Sequence, residues 1–324
     1  MMIYMSRALS DSFYVYKTLA IICVAAAHCS YEDAVINRIS GVWGTVGVPI
    51  FLAISGYFTK FDEPAQKFWN KKIRNIIIPW LLYGLITYLI GIVLGATFSV
   101  YGLIRWIVGN YTWLYFVPVL LTCFVIYRIS QHGLYMLATM IIFLLSNILT
   151  TLKLIDYPTW LTSYQLVFNW CGFFAVGILL KQKDFIFRYS KTKIIYKLLI
   201  LMLFCVFSIA YICSSSPSYW STFALPYELL GIVTFFGLAC ILQSHKLLVD
   251  IGKKTYVIYF LHMQLGIGTF NYISKKLNII QYELLILIIK PIVIVLLVYL
   301  GVKIVEKVGK KTHWDKFLWI FGFK

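Results

Sequence analysis

Long apolar runs recur along the whole of this chain, and they limit its fold more than any other feature. A helix that crosses a bilayer needs about 20 largely apolar residues in succession. Ten stretches fit, at roughly 12–31, 41–60, 75–96, 112–129, 133–151, 163–180, 195–213, 222–243, 255–274 and 282–304. Hydrophobic residues make up 61% of the 324 and charged residues only 13%, against about 25% charged in a soluble domain. That composition excludes a disordered chain and a soluble enzyme of one or two domains. The expected fold class is all-α: a polytopic membrane protein of about ten transmembrane helices. No internal repeat or low-complexity linker divides it, and residues 1–324 read as one membrane domain without an appended soluble domain.

The charge is lopsided, with 29 Lys and Arg against 12 Asp and Glu. An excess of that size can signal nucleic acid, but here the basic residues sit in short loops between spans, so nucleic acid is not an expected partner. Of the 29, 22 fall on one side, 5 fall on the other (Arg38, Arg105, Lys153, Lys275 and Lys276), and Lys17 and Lys290 lie inside spans. The positive-inside rule then puts both termini in the cytoplasm, which an even number of spans also requires. The N-terminus has no signal-peptide pattern, because its first apolar run continues into a span. A Ser-rich stretch at 214–218 reads as a short external loop. The seven Cys show no CxxC and no ligand spacing with His, and they read as buried small hydrophobes. No metal, P-loop or dinucleotide site is expected.

An ionisable group inside a bilayer is costly and is a functional candidate by default. The first span carries two, Lys17 and His28. Eleven residues of helix turn through three full turns plus about 20° and rise about 16 Å, so both lie on one face. Alone, Lys17 reads as a side chain snorkelling to the headgroups, and His28 as an interfacial histidine; the pair on one stripe is more telling. Glu228, Glu283 and Lys290 are further candidates. Glu283 and Lys290 stand seven apart on one helix face and read as neutralising each other.

Several short motifs accompany the pair. Lys17-x10-His28 resembles the Arg/Lys-x10-His signature of acyltransferase family 3, the integral-membrane O-acyltransferases of bacterial surface glycans. Gly47–Phe58, with its Ser55-Gly56-Tyr57 end, is similar to that family's second span, where the small residues read as helix-packing positions. Lys71-Lys72-Ile73-Arg74 with Pro79 resembles its basic entry to span 3. Trp113–Pro118 and Phe173–Gly177 resemble its spans 4 and 6. Gly252-x-x-Thr255-Tyr256-x-x-Tyr259-x-x-His262 resembles the opening of its span 9. The matches run in order from residue 17 to residue 262. Lys replaces the commoner Arg at 17 and 71, keeping the charge but losing the bidentate fork.

The resemblance implies a multi-pass enzyme of the bacterial cytoplasmic membrane. The donor is an acyl-CoA on the cytoplasmic side, acetyl-CoA being the expected one. The acceptor is a hydroxyl of a cell-surface polysaccharide or lipid-linked sugar. Lys17, Lys71, Lys72 and Arg74 are the candidate cradle for the CoA phosphates. Tyr259 and His262, read as lying near the cytoplasmic half of span 9, either line the donor path or bond between helices. Acyl transfer to a hydroxyl needs a base whose pKa lies near the working pH, and His28 fits that role; an acyl-histidine intermediate is the other route open to it. A carboxylate often orients such a base, and Glu32, Asp33, Glu228 and Glu283 all qualify. His132, His245 and His313 fall in or near loops and read as solvated, and Trp43 and Trp220 as outer-face aromatics able to stack on sugar rings. The competing class is a proton- or solute-coupled transporter or flippase of cell-envelope precursors, which would also use intramembrane Lys17, His28, Glu228 and Lys290.

Overall fold

The computed structural model describes residues 6–214, 218–277 and 282–323. Residues 215–217 of the expected Ser-rich loop lie outside it, as does Lys324, one of the basic residues of the tail. Among the described residues every regular element is helical, and a helix stands at each expected span. α1 is Arg7–Ala27, α2 Ala34–Phe58, α3 Ala65–Val93, α4 Trp113–Ile129, α5 Gly133–Thr151, α6 Cys171–Gln182, α7 Ile194–Cys213, α8 Ala224–Leu242, α9 Lys246–Leu261 and α10 Glu283–Lys311. Seven of these (α1, α2, α3, α5, α7, α8 and α10) are long and apolar enough to cross a membrane. The chain is therefore an integral membrane protein.

The other three differ from the expected spans for identifiable reasons. α4 and α6 are shorter apolar helices. The expected span at 163–180 becomes helical only from Cys171, apart from a single 3-10 turn at Val167–Asn169. Asn169, fully buried, donates to the Ser163 carbonyl at 3.0 Å, and its own carbonyl accepts from Asn147 at 3.2 Å. Its side-chain oxygen accepts from Ser146 at 2.5 Å. Trp170 Nε1 donates to the Tyr164 carbonyl at 2.9 Å. Irregular backbone at membrane depth survives only where protein satisfies its polar groups, and this cluster does so. α9 continues through a π-helical turn at His262–Ile267 into a further helix at Gly268–Lys276.

The chain forms two compact units. The first comprises residues 6–51 and 179–305, and the second 52–178 and 306–323. α1 is the central helix of the first unit, with Val15, Ala20, Ile21 and Ala25 fully buried. It packs antiparallel to α8: the Tyr16 hydroxyl donates to the Ile232 carbonyl at 2.7 Å, and Ser12 Oγ lies 2.8 Å from Gln243 Oε1. It also crosses α9. The Thr18 hydroxyl donates to the Leu248 carbonyl at 2.6 Å, and Gly252 lies so close that an added Cβ would sit 2.0 Å from the Tyr14 carbonyl oxygen.

Small residues also set the approach of α2 and α6 in the second unit. A Cβ on Gly56 would lie 2.1 Å from the Phe174 carbonyl oxygen, and one on Gly177 1.9 Å from that of Ala53, which is the close backbone contact small residues allow. The C-terminal segment of this unit forms a 3-10 helix at Asp315–Phe321, and Tyr83 of α3 donates to the Phe321 carbonyl at 3.2 Å. All seven cysteines are free. Five are buried as expected; Cys205 and Cys213 are exposed. α7 buries Lys197 near its start and the stripe Phe204, Ser208 and Tyr211, and turns Met202, Val206 and Ile209 outward, the pattern of a lipid-facing helix.

Candidate functional site

α1 ends at His28, whose N–H caps back onto the Ala25 and Ala26 carbonyls. The chain then turns through residues 29–33 before α2 begins at its Asp33 cap, where the Asp33 carboxylate accepts from the Val35 and Ile36 amides. The first turns of α10 hold this turn from the other side. The Glu283 carboxylate accepts from the Glu32 amide at 2.5 Å and the Asp33 amide at 2.7 Å. Lys290 donates to the Ser30 carbonyl at 2.9 Å and lies over the Tyr31 ring, 4.7 Å from its centroid. The Tyr31 hydroxyl reaches the Leu287 carbonyl at 3.3 Å. Glu283 and Lys290 therefore do not neutralise each other, as their spacing suggested; each grips a different part of the segment that follows His28.

Among the described residues, no candidate carboxylate is joined to the His28 ring. Glu32 is exposed, Asp33 caps α2, and Glu283 is engaged by two amides. Glu228 is buried on α8, and its Oε1 has no partner among the described residues. The antiparallel register of α8 sets it opposite the middle of α1, below His28. The group that does meet His28 is another imidazole: the ring centroids of His28 and His262 are 5.2 Å apart.

The position of His262 corrects the expectation that it lies in the other half of its span. From the crossing where Tyr14 and Thr18 of α1 meet Gly252 and Leu248 of α9, the two helices run the same way to His28 and His262. Twelve residues farther on, about 18 Å along both helices, the two histidines stand level. His262 is fully buried, and its Nδ1 lies 2.6 Å from the Tyr259 carbonyl. A carbonyl only accepts, so Nδ1 carries the proton and a neutral ring keeps its lone pair on Nε2. The Tyr259 ring is buried between Phe260 and His262. Gln264 lies in the same π-helical turn, and its buried Oε1 has no donor among the described residues.

Near the middle of α1, the Lys17 ammonium lies 5.5 Å from the centroid of the Tyr14 ring, and Lys253 of α9 lies 5.6 Å from the same ring. Two cations thus converge where the sequence pointed to one. Lys253 stands beside Gly252 in the motif already quoted, but only the helix register brings it to Lys17.

The basic entry to α3 divides in the second unit. Lys71 and Arg74 line a cleft of about 640 Å³ together with Lys67, Gln66, Asn70 and Asn75, and Trp319 and Phe323 of the C-terminal segment line it as well. Arg74 stacks on Trp319, 4.8 Å from the ring centroid. Lys71 is paired with Glu63 at 2.7 Å, and that hydrogen-bonded ammonium holds the Glu63 carboxyl below its usual range. Lys72 is not among the lining residues; it lies over the Phe124 ring, 3.6 Å from the centroid. Nothing in the sequence pointed to Trp319, because its place depends on how the tail folds back.

Fold and site define a helical membrane protein that joins an imidazole pair, at one end of its central helix, to cationic groups near that helix's middle. A family model described as an acyltransferase domain, that of the third acyltransferase family, matches residues 12–305. The chain belongs to that family, as its motifs implied. No curated protein and no solved structure matched it.

Proposed function

We propose that the protein is a membrane O-acyltransferase of the cytoplasmic membrane, with both termini in the cytoplasm and ten spans acting as one membrane domain. It moves an acyl group, in the first instance acetyl, from cytoplasmic acyl-CoA to a hydroxyl of a surface glycan or lipid-linked sugar. The observation that carries this reading is the histidine His28, eleven residues above Lys17 on one continuous helix, in a chain that belongs to an acyltransferase family.

The chemistry follows from the residue types. Lys17 and Lys253 offer two positive charges to a phosphate beside the middle of α1. The rise of about 16 Å from Lys17 to His28 is of the order of an extended pantetheine arm, so a donor held at Lys17 presents its thioester near His28. Neutral His28 takes the proton of the acceptor hydroxyl as its oxygen attacks the thioester carbonyl carbon. The new C–O bond forms, the C–S bond breaks, and the proton passes to the departing thiolate. The cleft of the second unit, with Lys67, Lys71, Arg74 and Trp319, is assigned the first capture of the polyanionic donor.

The test follows free-thiol release from acetyl-CoA by the purified protein in nanodiscs, with a glycan extract as acceptor. The unaltered protein should release thiol, and His28→Ala should lower the rate at least 1,000-fold. Absence of both release and acetyl-CoA binding would discard the enzyme reading in favour of a carrier.

A further inference from the structure

We propose that His262 is the positioning partner of His28: its bare Nε2 accepts a ring N–H of His28 and so fixes which His28 nitrogen is free to act as base. The inference rests on the acyltransferase reading above and assigns to an imidazole the role that a carboxylate has in hydrolytic triads.

Three observations carry it. The ring centroids are 5.2 Å apart and the rings are inclined at 46°; as they stand the nitrogens make no hydrogen bond to each other, and a rotation of the His28 ring about its Cβ–Cγ bond brings one of its nitrogens to His262 Nε2. The Nδ1 proton of His262 is committed to the Tyr259 carbonyl, so the nitrogen left to face a partner is an acceptor. The His262 ring is also fully buried, and its place is set by the π-helical turn it opens and by the close packing of α9 on α1 at Gly252. The turn after His28 is tied down independently by Glu283 and Lys290, so both members of the pair sit on anchored backbone.

The chain Tyr259 carbonyl, His262, His28, acceptor hydroxyl orders the protons. His28 donates one ring proton toward His262 and keeps its other nitrogen bare. When that nitrogen takes the hydroxyl proton, His28 becomes an imidazolium, and its charge is met by the His262 lone pair in a dry site. His28 then returns the same proton to the thiolate. His262 exchanges no net proton and touches neither substrate.

The experiment combines kinetics with nitrogen NMR of the full-length protein in nanodiscs, labelled with 15N-histidine. In the unaltered protein His28 should show one tautomer. His262→Ala should give a tautomer mixture at His28 and lower kcat about 100-fold, with the KM for acetyl-CoA within threefold. His262→Gln, whose amide oxygen can still accept, should recover at least a tenth of the activity and the single tautomer. A His262→Ala protein that keeps kcat and the His28 tautomer would overturn the proposal. So would the reverse hierarchy, in which His28→Ala retains activity and His262→Ala abolishes it. Absence of thiol release by the unaltered protein would instead remove the acyltransferase reading, while the NMR arm would still report whether the two rings are bonded.

Discussion

At Gly252 a single hydrogen sets how closely two helices approach. The atom that an alanine would strike is a backbone oxygen, 2.0 Å away, and backbone cannot swing aside as a side chain can. Gly252→Ala should therefore cost about 1–3 kcal/mol, read as a lower Tm in detergent. Gly301→Ala is the control: nothing lies within 4 Å of its added Cβ, and replacing a helical Gly should gain about 0.5–1 kcal/mol. Glu63 makes a different residue-scale prediction. Its carboxyl pKa is lowered chiefly by the hydrogen bond from Lys71. The pair is thus intact at neutral pH and its contribution is lost as pH falls through that lowered value. At neutral pH Glu63→Gln should free the Lys71 charge and reduce the KM for acyl-CoA severalfold at low ionic strength, with the gain fading at high salt. An unchanged KM at low salt would show that Lys71 does not meet the donor. The Lys17–His28 spacing was legible because both residues share one uninterrupted helix. The partner of His28 was not, because His262 lies 234 positions away and only helix register brings it level.

The first turns of α10 act as a clamp on the segment between α1 and α2. Glu283→Ala leaves the Glu32 and Asp33 amides without their carboxylate. These are exposed groups that water can reach, so the global stability cost should stay near 1 kcal/mol. The local effect is larger, because the freed turn begins at the residue after His28. We expect kcat to fall about tenfold, equivalent to about 1.4 kcal/mol, with the KM for donor unchanged; a KM effect alone would place the clamp at the donor instead. Helix positions were read well from apolar runs. The segment 163–170 was not, because its residues are apolar enough for a span while Asn169, buried among Ser146, Thr150 and Asn147, holds the backbone out of helix. Such side-chain satisfaction of irregular backbone leaves no periodic trace in the sequence.

The C-terminal segment belongs with the second unit, not with the first, which holds most of α10. Trp319 and Phe323 help to line the basic cleft, so the tail forms part of its wall. Trp319→Ala should raise the KM for acyl-CoA about tenfold while leaving kcat near its normal value; equal KM values would assign the cleft to something other than the donor. The parallel course of α1 and α9 has a further consequence. The two helices resemble a pair of rulers laid side by side with matching divisions, twelve residues from their crossing near Tyr16 to the histidine on each. One alanine inserted into α9 after Val257 would turn His262 by about 100° and advance it by about 1.5 Å, putting the rulers out of step. A second alanine inserted into α1 after Cys23 would bring the divisions back into step. Activity lost to the first insertion and partly regained with the second would mean that what the chain conserves here is a shared length rather than any one contact.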